Sequence, residues 1–167
     1  MDPPVRRIAT RMTAPQTLHR AEDPYDWAAL LRLIRAEFAY MDARISPPSS
    51  ALRLTEAGLG AQSHTAEIWV IGSPPIACTI LTPKPGSLYI GKLAVAAGLR
   101  GKGHARALIA RAEASARLSG LPFLELETRI ELTENHTTFR ALGFEEVSRS
   151  AHEGFAQATS ITFRRPL

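Results

Sequence analysis

The stretch from Gly98 to Leu108 constrains this chain more than any other, because it sets Arg100, Gly101, Lys102 and Gly103 between an apolar run and an amphipathic one. Before it, residues 87–95 read as a strand. After it, Ala105, Leu108, Ile109, Ala112 and Ala116 fall on one helical stripe, with Arg106, Glu113 and Arg117 off it. A strand that turns through glycines into a helix exposes the N–H groups of the helix's first turn, which lack intrahelical partners and carry the positive end of the aligned peptide dipoles. Such a turn is an anion site, and glycine lets a phosphate come close to the backbone. The dipole contributes only about 0.3–1 kcal/mol at an exposed position, whereas a charge-assisted hydrogen bond contributes roughly 1.5–3 kcal/mol, so Arg100, Lys102 and Arg106 are expected to set affinity. A nucleotide P-loop does not fit, since no Gly-x-x-x-x-Gly-Lys-Ser/Thr is present. A dinucleotide fold does not fit either, because its strands alternate with helices and its glycine spacing differs.

The remaining periodicity supplies the frame around that turn. With 167 residues, 45% of them hydrophobic, the chain can bury one core, and a single domain over residues 16–167 is expected. Residues 1–15 carry Pro3, Pro4 and Pro15 with Arg6, Arg7 and Arg11 and no periodicity, and read as a flexible tail. A short strand at 16–19 precedes a helix capped by Asp23, with Pro24 at its first position and Trp27, Leu30, Leu31, Ile34, Phe38 and Met41 at helical spacing. A stiff polar loop over 45–50 leads to a weaker helical segment at 52–59, closed by Gly58 and Gly60. Residues 67–71 and 76–81 read as a hairpin, and 87–95 as a third antiparallel strand after a turn at 83–86.

Past the central helix, which Gly120 and Pro122 stop, residues 123–128 alternate with Leu124 and Leu126 on one face and Glu125 and Glu127 on the other. A helix over 135–142 ends at Gly143, and strands at 144–147 and 159–163 complete the count. The expected class is α/β, a mixed and mostly antiparallel sheet of about six to seven strands with about four helices and one crossover helix.

A net charge of +4 favours an anionic partner. Basic residues are not interleaved with aromatics, so nucleic acid is not the partner expected. No apolar stretch approaches the roughly 20 residues of a membrane span, and the N-terminus lacks the apolar core of a signal peptide. The lone Cys78, inside the apolar run 76–81, reads as a buried structural thiol in a reducing compartment. A soluble, cytoplasmic protein that uses no metal is expected, and a homodimer is compatible with this reading.

Leu93-Ala94-Val95 followed by Arg100-Gly101-Lys102-Gly103-His104-Ala105 resembles the cofactor turn of the GNAT acetyltransferase superfamily, with Arg100, Gly103 and Ala105 filling its Gln/Arg-x-x-Gly-x-Gly/Ala positions. Ala141-Leu142-Gly143-Phe144 resembles the ending of that family's last helix, and the order of elements before Leu88 agrees as well. The resemblance implies that acetyl-CoA (coenzyme A) is the cosubstrate and that the strands at 87–95 and 123–128 splay apart to form its cleft. It also implies that backbone groups of Leu93 and Val95 hold the pantetheine arm, with Asn135 and Phe139 beside it.

An alkyl amine with a pKa near 10.4 is only about 0.04% deprotonated at pH 7, so acyl transfer to it needs a proton acceptor. The family's carboxylate on the strand leading to the cofactor turn is absent here, where Tyr89 and Lys92 stand instead. Glu127 and His136 are the candidate catalytic groups in its place. The position of the family's usual tyrosine, four residues before the Gly143-Phe144 pair, is Phe139, so the usual acid for the departing thiolate is missing. By the resemblance, the first helix and the loop after it line the acceptor side, which brings in Phe38, Tyr40, Met41, Asp42 and Arg44 and suggests a small amine or amino-acid-like acceptor. A CoA-binding module without catalysis is the alternative.

Overall fold

The computed structural model describes residues 16–167; the expected tail at 1–15 lies outside them. Seven strands, β1 (Leu18–Arg20), β2 (Glu67–Ile71), β3 (Ala77–Lys84), β4 (Ser87–Val95), β5 (Phe123–Arg129), β6 (Glu145–Ser150) and β7 (Ser160–Pro166), form one sheet in the order β1-β2-β3-β4-β5-β7-β6. Every neighbouring pair is antiparallel except β4 and β5. That parallel pair is joined by the crossover helix α3 (His104–Leu118), as parallel strands require. The other helices are α1 (Trp27–Phe38), α2 (Glu56–Gln62) and α4 (Thr133–Ala141).

The starts of α1 and α2 are set by side chains that satisfy free N–H groups. For α1 that side chain is Asp26, whose Oδ1 accepts from Ala29 N at 3.0 Å, and not Asp23 with Pro24 as the sequence suggested. Asp23 instead accepts from Trp27 Nε1 at 2.6 Å. Met41 likewise falls outside α1, in a 3₁₀ turn over Ala39–Met41. The expected segment at 52–59 divides in two, because Leu54 is extended and Thr55 opens a new helix by capping Gly58 N at 3.0 Å. The result is a 3₁₀ turn over Ser50–Arg53 followed by α2, with Gly58 and Gly60 inside the helix and not closing it. Gly60 packs closely under the indole: a Cβ there would stand 3.3 Å from Trp27 Nε1.

Two apolar clusters cover opposite faces of the sheet. Leu30, Leu31 and Ile34 of α1 and Leu59 of α2 pack on Ile68, Val70, Cys78, Ile80 and Ala94. Ile109, Ala112 and Ala116 of α3 pack with Leu81, Leu88, Ile90, Leu124, Leu126, Phe144 and Phe163 on the other side. One irregularity joins these patterns. Between Cys78↔Ala94 and Ile80↔Gly91 the register shifts, so that Lys92 and Leu93 oppose Thr79 alone, and Lys92 takes a positive φ of 48°. This bulge reverses the alternation of β4: Leu88 and Ile90 are continued on their face by Leu93 and Val95, while Ala94 turns to the α1 side.

The two β5 carboxylates stand in different surroundings. The Glu125 side chain is only 10% exposed and meets Arg164 Nε at 2.8 Å, Lys84 Nζ at 3.5 Å and Ser87 Oγ at 3.3 Å. Burial pushes its pKa up, but the Arg164 hydrogen bond and the nearby Lys84 outweigh it and hold the carboxyl below its ordinary value. A depressed carboxylate stabilises the fold above its unfolded value of about 4.3 and loses that contribution as pH falls further. Glu125→Gln is therefore expected to cost about 2 kcal/mol in urea unfolding at pH 7, below the 3–5 kcal/mol of a fully buried pair because both cations are partly solvated, and the cost should shrink below pH 4.

Candidate active site

The ladder between β4 and β5 covers only Ser87–Tyr89 against Phe123–Glu125. Beyond it the strands diverge, and a cleft of about 1150 Å³ opens between Ile90–Val95 on one side and Leu126–Arg129 on the other. Towards α3 the cleft reaches the glycine turn. Gly101 (φ 76°) and Gly103 (φ 85°) both lie in the left-handed region, and a Cβ added at either would meet nothing within 4 Å. Gly103 is the N-cap of α3 and no side chain caps that helix, so its first N–H groups face the cleft end without a side-chain acceptor.

Most of the residues singled out from the sequence share this cleft. Leu93, Ala94, Val95, Arg100, Gly101, Gly103, His104, Ala105 and Arg106 line it from β4 to α3; Asn135 and Phe139 line it from α4; Phe38, Tyr40, Met41 and Arg44 line it from the end of α1 and the turn that follows. Asn135 donates from Nδ2 to Thr128 Oγ1 at 3.3 Å. Phe139 sits edge-on to Phe144 at 6.4 Å between ring centroids and is 6.1 Å from Phe163, so its half-buried ring extends the core up to the cleft wall.

Three of the expected site residues stand elsewhere. Lys102, between the two left-handed glycines, is exposed and off the wall, and so is Asp42. His136 is buried: its Nε2 donates to the Arg129 carbonyl at 3.0 Å and its ring packs 6.0 Å from Phe163, which gives it a structural task behind the cleft. Arg100 is at the wall but already engaged. Its Nη2 meets Glu37 Oε2 at 2.8 Å and its Nε donates to the Val95 carbonyl at 3.4 Å, while Glu37 also accepts from Ala97 N at 3.2 Å. Arg100 thus ties the glycine turn to α1.

Three carboxylates line the cleft, and their partners separate them. Glu37 is paired with Arg100 and Glu134 with Arg44, whose Nη2 lies 3.0 Å from Glu134 Oε2. The Arg44 hydrogen bond pulls Glu134 down to about 2. Glu127 has no cation within salt-bridge distance among the described residues and only accepts from Thr162 Oγ1 at 3.3 Å. Tyr89 lies near it: burial first, then Glu127 and Glu125, push the phenol up to about 12, so it remains a neutral donor.

Several cleft residues had no motif to announce them. Lys92 donates from Nζ to Ser50 Oγ at 2.7 Å, and Arg129 donates from Nη2 to the Pro48 carbonyl at 3.2 Å. These two bonds fasten the loop at 47–50 across the diverging strands. The signal for Lys92 was the break in apolar alternation after Ile90; for Arg129 the sequence held none.

Cys78 is fully buried and donates weakly to the Lys92 carbonyl at 3.5 Å, and burial pushes its thiol up to about 12. The native protein is expected to be inert to Ellman's reagent at pH 8 and to yield one thiol per chain after denaturation.

Among the described residues no group of three or more His, Cys, Asp or Glu is placed to hold a metal ion, and no helix is long and apolar enough to cross a membrane.

No curated protein matches this sequence closely enough to count as a relative. Solved structures match the fold. An acetyltransferase from Streptococcus agalactiae 2603 superposes with a TM-score of 0.70 at 18% identity, over 91% of this chain and 98% of that one. The ribosomal-protein-S18-alanine N-acetyltransferase from Escherichia coli gives 0.65 at 17% identity over 90% and 93%. A chain of the NatC complex bound to Gag peptide and CoA gives 0.63 at 23% identity over 92% and 99%. The family model described as acetyltransferase (GNAT) family matches residues 27–144, from the first turn of α1 to the end of α4 and the core residue Phe144 after it, which spans both walls of the cleft. The chain therefore belongs to the GNAT acetyltransferase family.

Proposed function

We propose that this protein transfers the acetyl group of acetyl-CoA to a primary amine of a small molecule, by direct attack of the amine on the thioester. The observation that carries the reading is the cleft itself: it opens where the β4–β5 ladder stops, runs into an uncapped helix N-terminus at one end and presents Glu127, without a cationic partner, on the β5 wall. The residues fit the cosubstrate. The left-handed glycines leave room where any Cβ would intrude on a pyrophosphate, and Arg106 adds positive charge beside them.

In this mechanism Glu127 takes the proton from the incoming ammonium, freeing its lone pair; the amine nitrogen bonds to the acetyl carbon, the carbon–sulfur bond breaks, and the nitrogen releases its second proton to solvent, leaving the neutral amide. Phe139 offers no proton to the leaving sulfur. A thiol with a pKa near 8.5 leaves tolerably as the anion and takes its proton from solvent, so the lack of a tyrosine slows the reaction without preventing it. Cys78 is too deeply buried to form an acyl-enzyme, which favours a single displacement.

A second reading, a CoA-binding module without catalysis, is favoured by Phe139. Calorimetric titration with acetyl-CoA, followed by thiol release against a panel of amines, separates the two. Binding with release supports the transferase. Binding without release for every amine supports the module, and absence of binding overturns both.

A further inference from the structure

Beside the acceptor end of the cleft lies a side pocket of about 250 Å³, and Ser50, Arg53, Tyr89, Gly91 and Lys92 line both spaces. Its remaining wall is Leu54, Gln62, Ile80 and Thr82. The polar groups there are donors or carry one: a guanidinium, an ammonium, an amide, a phenol and two hydroxyls, with no carboxylate. Among the described residues neither Arg53 nor Lys92 has a carboxylate within 4.0 Å, whereas Arg44 and Arg100, also on the cleft wall, are paired. Lys92 is held in place by its bond to Ser50 Oγ and lies 5.9 Å over the Phe38 ring.

Resting on the transferase reading, we infer that the acceptor is an amine that also bears a carboxylate, with the amine at Glu127 and the carboxylate in the side pocket against Arg53 and Lys92.

Two charges kept close without a counter-ion are costly, and an entering carboxylate relieves that cost. Burial and the neighbouring Arg53 lower the Lys92 pKa, in keeping with a site that lacks its anion. Tyr89 borders both the pocket and Glu127, and as a neutral phenol it can donate to a bound carboxylate while separating it from the Glu127 charge. The bulge explains why a lysine stands here at all. By reversing the alternation of β4 it removes Lys92 from the α3 core, where parity from Leu88 and Ile90 would have placed it, and delivers it to the acceptor side. Arg129 is a competing cation, but its Nη2 is engaged by the Pro48 carbonyl and its Nη1 has no accessible surface for a ligand to touch.

The test measures binding, so it does not depend on turnover. Protein saturated with CoA is titrated with ω-amino acids from glycine to 6-aminohexanoate, each against the amino alcohol of equal length and the corresponding aminoalkylphosphonate. At least one amino acid is expected to bind about 10- to 100-fold more tightly than its alcohol, the range of one charge-assisted hydrogen bond. Arg53→Gln, on an exposed turn where folding is not at risk, should reduce that ratio towards one, and Lys92→Gln should do the same. Equal binding of acids and alcohols, a preference for the phosphonate, or a ratio that survives Arg53→Gln would overturn the inference. If the preference holds and no amine releases thiol from acetyl-CoA, the carboxylate pocket stands and the transferase reading falls.

Discussion

Glu127→Gln is expected to lower kcat by about 10²- to 10⁴-fold, the usual contribution of a positioned proton acceptor, while acetyl-CoA binding stays unchanged. The expectation follows from how charge is distributed in the cleft. Glu37 and Glu134 are each engaged by an arginine, and Glu127 is the remaining acid on the wall. Gln keeps the size and still accepts from Thr162, so the strand should be undisturbed. Initial rates across pH, with calorimetry of acetyl-CoA on both proteins, check it. An unchanged kcat would remove Glu127 from the mechanism.

The second large effect belongs to Gly103→Asp, expected to weaken acetyl-CoA binding by about 100-fold or more. A 100-fold loss corresponds to about 2.7 kcal/mol, which the loss of two charge-assisted N–H bonds suffices to supply. Two features direct that loss to the ligand and spare the fold. No protein atom lies within 4 Å of the added Cβ, and aspartate tolerates the left-handed region better than most residues. Its carboxylate would also compete for the N–H groups at the start of α3, which is what an N-cap side chain does and what a pyrophosphate needs. Thermal unfolding of the free variant should stay close to wild type while calorimetry shows the weakened binding. Binding that survived would mean that the cosubstrate's phosphates lie elsewhere.

Strands and helices were legible in the sequence wherever one apolar period ran unbroken. The strand of residues 67–71, the strand at 87–95 and the stripe of α3 were found with their boundaries nearly right, and so was the glycine turn between them. Errors gathered where a side-chain cap or a polar network decided the matter. Asp26 outcompeted Asp23 because Asp23 found the indole of Trp27, a tertiary partner invisible to local reasoning. Glu125 and Glu127 share one face of β5 and look equivalent in sequence, but β4 brings Ser87 beside Glu125, with Lys84 from β3 and Arg164 from β7, and leaves Glu127 free. His136 looked catalytic for its chemistry and proved to hold the end of β5 through a carbonyl. Lys92 was seen and read only as a missing acid; its meaning depended on a phase reversal that the sequence carries as Leu88, Ile90, Leu93 and Val95.

The short ladder between β4 and β5 also bears on the mechanics of the molecule. Three ladder pairs, the packing of α3 and a few polar ties, from Arg44 to Glu134, Arg129 to the Pro48 carbonyl and Lys84 and Ser87 to Glu125, join a first half, β1 to β4 under α1 and α2, to a second half, β5 to β7 with α4. Such a seam is a line along which a sheet can breathe, and amides bordering it should exchange with solvent sooner than those in the centre of either half. A ligand that touches both sides then acts as a rivet. Its binding energy appears as cohesion between the halves, amounting to about 2.7 kcal/mol of added resistance to unfolding at a hundred times its dissociation constant.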